Sequence, residues 1–357
     1  MISVETPQIY FPTPLTQPDI TWIFMEILLT KQRAALDMLV AERQTGKPAF
    51  FHFIGDIIDG KQTIHLDWPS RVQDSQVVSH LLQTIRFHAH GALTASEIDN
   101  ITRDLHQSPL FRALGSNTIL VSQEQASQGN YFTPLDHVCR VAKCVPQVPL
   151  FKDDLEVAHL LPWLHDIGKM SGVNFLSSNE IENPHLREKL KEAYGSDGKH
   201  THPGHAQMGA AITRRIFDTL QQSIAPEQTL NRDQLHLLLN VILHHHDFLY
   251  SGFKKQGLVD NWLKNEISQI LLPTLPPDQP ELIVRFFALL FQFRYADIAA
   301  TRQHHCHWPN NLAWFKETPS IVSTFLPQTP EIECHLEILK QVIEALPQDF
   351  SQGNSLR

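Results

Sequence analysis

Cysteine is scarce in this sequence. The chain has 357 residues and only four cysteines, without a Cys-x-x-Cys pair: Cys139, Cys144, Cys306 and Cys334. This usage excludes a disulfide framework and indicates reduced thiols, which predicts a cytoplasmic protein.

Long apolar runs are also missing. The longest apolar stretches, 20–30 and 282–293, are too short to cross a bilayer, and each contains a charged residue. The segment 1–17 is polar and contains several prolines, which predicts no signal peptide. We therefore expect a soluble chain with no membrane partner.

Basic residues are in the minority. The chain has 29 Lys and Arg against 38 Asp and Glu, for a formal net charge of −9. Affinity for a phosphate backbone depends on clustered Lys and Arg, so this balance disfavours a nucleic-acid partner. Hydrophobic residues make up 42 % of the chain, which is enough for a packed core and excludes wholesale disorder.

The hydrophobic pattern divides the chain into three parts. Residues 1–125 mix predicted helices (20–44, 74–87 and 96–105) with short β-branched runs (48–58, 61–68 and 118–122), which predicts a small mixed α/β module. Residues 126–347 predict an all-helical domain, and 348–357 a flexible tail. The fold class expected is mainly α. The helices predicted in the second part are 136–145, 155–167, 203–221, 233–246, 256–272, 281–301 and about 330–346.

Histidine is abundant, with 21 residues, and its placement is not even. An adjacent His-Asp pair begins the run His-Asp-Ile-Gly-Lys at 165–169. Other histidines and one aspartate adjoin apolar helical patterns in the same domain: His137, His205, His244, His245 and Asp297. Imidazole is the commonest side-chain metal ligand. The pattern therefore predicts a pocket that holds divalent metal ions.

Asp297 and Asp166 are the informative carboxylates. Asp297 lies on an otherwise apolar helix, where a carboxylate is costly to bury unless a cation or hydrogen bonds compensate it. Asp166 has two oxygens and can bridge two ions, and Gly168 allows a close approach of backbone or ligand. Mixed imidazole and carboxylate ligands suit Mn, Fe, Ni, Co or Zn, and Mg is a further candidate metal.

Basic side chains near the pair suggest contacts to phosphate. Lys169 is predicted to contact a phosphate oxygen and to take part in catalysis. Lys199, His200 and His202 lie in the downstream loop as further phosphate contacts or, for His202, as a general acid.

Each of these features has a structural alternative. A His-Asp pair alone is usually structural, and a run of three histidines is often a solvated helix end. The patch 304–307, His-His-Cys-His, is interpreted as non-functional because no second spaced cluster accompanies it. The combination of candidates in one helical segment favours the metal site.

In these residues the chain resembles the HD superfamily of metal-dependent phosphohydrolases. The family pattern is a His, a His-Asp pair and a distant Asp, and His137, the pair 165–166 and Asp297 follow it. His205 stands in the Gly-His-x-x-x-Gly-Ala form seen in many members. The run 244–246 follows, with His245 favoured as the ligand and His244 second. The extended His-Asp-Ile-Gly-Lys form is that of a large subgroup.

The resemblance implies a helical core around a mono- or binuclear centre. His137, His165, Asp166 and Asp297 would hold the first ion. Asp166, His205 and His245 would hold the second. The implied reaction is hydrolysis of a phosphomonoester or phosphodiester, commonly of a nucleotide, by metal-activated hydroxide, with Asp166 as a catalytic residue.

Two alternatives stay open at this stage. One is a cyclic-nucleotide or dinucleotide phosphodiesterase. The cyclic-di-GMP branch carries Gly-Tyr-Pro after its His-His element and a Glu four residues before the first His, whereas this chain has 247–253, Asp-Phe-Leu-Tyr-Ser-Gly-Phe, and Thr133 at those positions. The other alternative is a non-catalytic HD fold that serves as a signalling or interaction module.

Overall fold

The computed structural model describes residues 71–88, 93–108, 111, 134–168, 205–224, 228–246, 248, 259–301 and 308–350. Within these ranges every regular element is a helix, which confirms the mainly α prediction. The α-helices are α1 Arg71–His88, α2 Ala95–Leu105, α3 Pro134–Lys143, α4 Leu155–Leu164, α5 His205–Ser223, α6 Arg232–His244, α7 Val259–Glu266, α8 Glu281–Ala300, α9 Trp308–Val322 and α10 Pro330–Ala345.

The local sequence explains where several helices begin. Thr94 caps α2 and Asn231 caps α6, each in a reciprocal capping box with the side chain three residues later. Thr329 accepts a hydrogen bond from the amide of Ile332 at the start of α10, where Pro330 takes the first helical position. These caps satisfy amide groups that a helix start leaves without an intrahelical partner.

The helix α9 is absent from the sequence-based prediction. Its sequence contains Pro309 near its start and Pro319 inside it, and proline normally ends a helical pattern. Its core contacts offset that cost: Phe315 stacks on Phe291 of α8 with ring centroids 3.8 Å apart. Tertiary packing therefore overrides the local sequence signal here.

The segment after α7 departs from a regular helix. The predicted helix 256–272 is α7 followed by a π-helical stretch, Ile267–Leu271, and a 3₁₀ turn, Leu272–Thr274. These turns bring Thr274 against the end of α6, where its hydroxyl lies 3.1 Å from Nε2 of His244.

The helix α8 is the centre of the fold. It packs against α3, α4, α6, α9 and α10, and most of its side chains are buried. A helix that is apolar on all sides is stable only where neighbours surround it. Because α8 carries Asp297 near its C-terminal end, the core helix also supplies a candidate site residue.

The helices before residue 125 join the same core. The helix α1 packs against α4 and α5, and α2 packs against α3. Arg86 of α1 donates to the carboxylate of Glu156 on α4 and to the carbonyl of Thr229 before α6. Val78, Leu81, Leu82 and Ile85 of α1 belong to one hydrophobic cluster with residues of α4 and α8.

Of the mixed module predicted for 1–125, the described residues contain two helices and no strand. The predicted strands 48–58, 61–68 and 118–122 and the helix 20–44 lie outside the described residues. In the tail, 348–350 is described, and Phe350 stacks on Tyr295. Among the helices that the structure describes, none is both long enough and apolar enough to span a membrane.

Candidate metal centre

The His-Asp pair lies where the apolar helix α4 ends. His165 follows Leu164, and its backbone amide still donates to the carbonyl of Leu161. Its ring Nδ1 lies 3.0 Å from the carbonyl oxygen of Pro162, so Nδ1–H donates there and Nε2 carries the free lone pair. A backbone partner of this kind fixes both the tautomer and the orientation of a ligating imidazole.

Gly168 brings the pair against the start of α5. A Cβ at Gly168 would lie 2.0 Å from the carbonyl oxygen of His205 and 2.7 Å from the amide nitrogen of Gly209. Only glycine permits this distance, as the sequence predicted for a close approach. The contact between two backbones therefore sets His165 and Asp166 beside His205.

The first group of candidate ligands is His137, His165 and Asp166, whose ligand atoms lie within 4.8 Å of one another. Asp166 Oδ2 lies 3.2 Å from His165 Nε2 and 3.6 Å from His137 Nε2. Asp297 joins from α8, with Oδ1 3.1 Å from His137 Nε2. Helices α3, α4 and α8 thus converge on one buried point.

The second group is His205, His245 and His246, again within 4.8 Å. His205 begins α5, and the other two directly follow α6. Nε2 of His205 lies 3.3 Å from Nε2 of His245. His245 directs Nδ1 to the carbonyl of Ile242 at 2.6 Å, so its Nε2 is the lone-pair nitrogen in the neutral ring.

Asp166 lies between the two groups. Its Oδ2 faces His137 and His165 in the first group, whereas its Oδ1 lies 3.6 Å from His205 Nε2 and 3.9 Å from His245 Nε2 in the second. The carboxylate is fully buried. This is the arrangement of a carboxylate that can bind two cations with its two oxygens.

The charges around the site favour an anionic Asp297. Burial alone would raise the pKa of Asp297, but the hydrogen bond with His137 and the electrostatic effects of His137, His165 and Arg294 outweigh it and hold that pKa far below the usual range. The carboxylate is therefore ionised at neutral pH, as a metal ligand must be.

His245 is held neutral. Burial lowers its pKa well below 6.5, the rings of His205 and His165 lower it further, and the opposing effects of Asp166 and the Ile242 carbonyl are smaller. A neutral imidazole presents a lone pair, which is the form that binds metal.

The donor set fits a divalent transition metal. Among the described residues, Nε2 of His165 is buried without a hydrogen-bond partner, although it lies 3.2 Å from a carboxylate oxygen. A buried ring nitrogen without a hydrogen bond is costly unless a cation occupies its lone pair. Imidazole nitrogens mixed with carboxylate oxygens are typical of sites for Mn, Fe, Co, Ni or Zn.

His244 is the predicted ligand that the structure does not bring to either group. It is buried, its Nε2 lies 3.1 Å from Thr274 Oγ1, and its ring makes edge contacts with Phe248 and Phe286. A side chain one position along a helix points about 100° away from its neighbour, so His245 and His244 have different surroundings.

Several predicted residues lie outside the described part of the chain. They are the phosphate-contact and general-acid candidates Lys169, Lys199, His200 and His202, and the patch 304–307.

Sequence reasoning also missed two residues at the site. His246 completes the second group and is exposed. Arg294 lies one turn before Asp297, and its charge on so apolar a helix was as informative as that of Asp297.

Comparisons of the chain with models of protein families, with curated proteins and with solved structures find no match.

Proposed function

We propose that the protein is a metal-dependent phosphohydrolase of the HD type. The observation that carries the proposal is the position of Asp166, which is fully buried and turns one oxygen to each of two imidazole groups. The family resemblance of the motif at 165–169 supports it, because the geometry of the side chains agrees with the ligand roles that the resemblance implies.

The ligands divide into two sets. His137, His165, Asp166 and Asp297 would hold one ion, and Asp166, His205 and His245 would hold the second. When bound, such ions supply Lewis acidity, which lowers the pKa of water and neutralises charge on a phosphoryl group. Mn, Fe, Co, Ni and Zn all fit this donor set, with Mg also admitted.

The chain's own residues orient and bury the candidate ligands. The backbone partners of His165 and His245 direct the two Nε2 atoms inward, and the surrounding apolar helices bury His137, His165, Asp166 and His245. A low-dielectric site of fixed dipoles and charges strengthens electrostatic stabilisation of a transition state. Lys169, Lys199 and His200 are proposed to bind the phosphate, and His202 to protonate the leaving group.

The proposed substrate is a phosphorylated small molecule, a nucleotide monoester or diester, hydrolysed in the cytoplasm. Among the described residues the ligand positions hold imidazoles and carboxylates throughout, which favours catalysis over a purely structural signalling module. A phosphodiesterase specific for cyclic nucleotides or dinucleotides is a narrower form of the same activity.

The test uses full-length protein stripped with a chelator and reloaded separately with each metal. Metal content is measured, and hydrolysis is followed on aryl phosphate monoesters, aryl phosphate diesters, nucleoside phosphates and cyclic nucleotides. We expect at least one metal to restore hydrolysis, and Asp166→Ala to abolish both metal binding and turnover.

His159→Asn is the matched control, since His159 lies on the same helix α4 but outside both groups. It should keep metal and activity. Absence of hydrolysis with every metal on every substrate would refute the enzyme proposal. Selective turnover of diesters over monoesters would favour the phosphodiesterase form.

A further inference from the structure

Arg294 is a buried cation that contacts both halves of the centre. It is only 6 % exposed. Its Nη1 donates to the backbone carbonyl of His245 at 2.8 Å and lies 3.6 Å from Oδ2 of Asp297. One guanidinium thus touches a residue of the second group and the α8 carboxylate beside the first.

The two oxygens of Asp297 have separate neighbours. Oδ1 lies against His137, whereas Oδ2 faces Arg294. A carboxylate held at one oxygen by a fixed cation has less rotational freedom and presents its other oxygen in a constant direction. Arg294 is therefore suited to turn Oδ1 of Asp297 towards the cluster.

The contact with His245 acts on the other group. The last carbonyls of an α-helix lack intrahelical partners, and a cation there is favourable. By binding the carbonyl of His245, Arg294 fixes the backbone from which the His245 ring reaches the cluster. Both contacts are made by Nη1 at the far end of the side chain, which the ammonium of a lysine, on a shorter side chain, does not reach in the same geometry.

The second arginine on α8, Arg285, is a structural comparison for Arg294. Arg285 is paired with the buried Asp154, with Nε 3.0 Å from Oδ2. This pair ties α8 to the turn before α4 and touches neither ligand group. Arg285, which is partly buried, and Arg294, which is buried, are thus two cations on one helix with different partners.

We infer that Arg294 is a positioning residue, which sets the distance between the two ion sites by holding Asp297 and His245 together. The inference rests on the proposed function, since it needs metal to be bound. Outer partners of metal ligands commonly contribute about 10- to 100-fold to metal affinity. Removing Arg294 should therefore weaken the binding of both ions.

The experiment compares full-length wild type with Arg294→Met, Arg294→Lys and Arg285→Met. Each stripped protein is titrated with Co²⁺, and the dissociation constants and the visible absorption of bound Co²⁺ are recorded. Thermal unfolding of the stripped proteins measures the fold separately. We expect Arg294→Met to weaken Co²⁺ binding by about 10- to 100-fold and to change the absorption band, and Arg294→Lys to do so less.

Arg285→Met should lower the unfolding temperature and leave Co²⁺ affinity and absorption at the wild-type values. If Arg294→Met only lowers the unfolding temperature, as Arg285→Met does, Arg294 is structural and the inference is wrong. If Arg294→Met does not fold, Arg294→Lys decides: wild-type affinity and spectrum overturn the inference, and weakened binding supports it. A wild-type protein that binds no metal refutes the proposed function itself.

Discussion

Gly168 lies so close to His205 that a Cβ at Gly168 would come within 2.0 Å of the His205 carbonyl oxygen. The contact joins two segments that are distant in sequence, the end of α4 and the start of α5. Because each segment brings candidate ligands, the spacing of these two backbones fixes part of the geometry of the metal centre.

Gly168→Ala is expected to destabilise the protein and weaken metal binding. The new methyl group meets backbone atoms, which cannot rotate away, so α4 and α5 must separate at a cost of about 1–3 kcal/mol. Chemical denaturation of the stripped protein gives the free energy of unfolding, and titration gives the affinity for metal.

Gly209→Ala is the matched control for that change. The nearest atom to its added Cβ is a side-chain methyl of Ile242, at 3.3 Å. The gain in helix propensity of about 1 kcal/mol offsets the small displacement. We expect stability near that of wild type, and equal losses in the two glycine variants would contradict the backbone explanation.

We expect His245 to support metal binding and His244 to support the stability of the fold. His245→Gln should remove a ligand of the second group, so a stripped protein titrated with Co²⁺ should bind fewer ions. His244→Gln should lower the free energy of unfolding by about 1–3 kcal/mol, since a buried polar contact with Thr274 is disturbed, yet keep both ions. Loss of metal from His244→Gln with His245→Gln unaffected would reverse the assignment.

Removal of metal should lower the unfolding temperature. An ion that binds only the folded state stabilises it by about 2.7 kcal/mol at 100 times its dissociation constant. Differential scanning calorimetry with chelator, and then after reloading, measures the difference. The same comparison on Asp166→Ala, which lacks the carboxylate shared by both sets, should give almost no shift, and a full shift in that variant would show that the ions bind elsewhere.

Acid should destabilise the stripped protein in part through His159. Burial lowers the pKa of His159 below 6.5 in the folded state, so the unfolded chain binds its proton more readily. The contribution of the neutral ring is present above pH 6.5 and is lost as the pH falls through the folded-state pKa. Denaturation midpoints across this window should fall more steeply for wild type than for His159→Gln. Parallel curves would assign the acid sensitivity to other groups.

The sequence was sufficient to predict those helices whose apolar period is regular. The segments that became α4, α5, α6, α8 and α10 were predicted within a few residues. The helix α9 was missed because its two prolines dominate the local pattern, and its tertiary contacts, such as that of Phe315 with Phe291, explain why it forms. The local sequence of α9 does not reveal these tertiary contacts, because they depend on residues elsewhere in the chain.

The candidate site, too, could be predicted from the sequence only in part. The residue types at 137, 165, 166, 205 and 297 suggested ligands, and the structure brings all of them together. The choice among three adjacent histidines could not be made locally, because it depends on Thr274, which lies 30 residues away from His244. A charge on an apolar helix was taken as informative only for Asp297, although Arg294 carries a charge on the same helix.

The placement of Asp297 on α8 has a consequence for how an ion can leave. Five helices pack against α8, so most of its backbone amides should exchange with deuterium much more slowly than those of exposed helix ends. Release of an ion that Asp297 holds is therefore expected to be slower than release from the second group, beside which the exposed His246 lies.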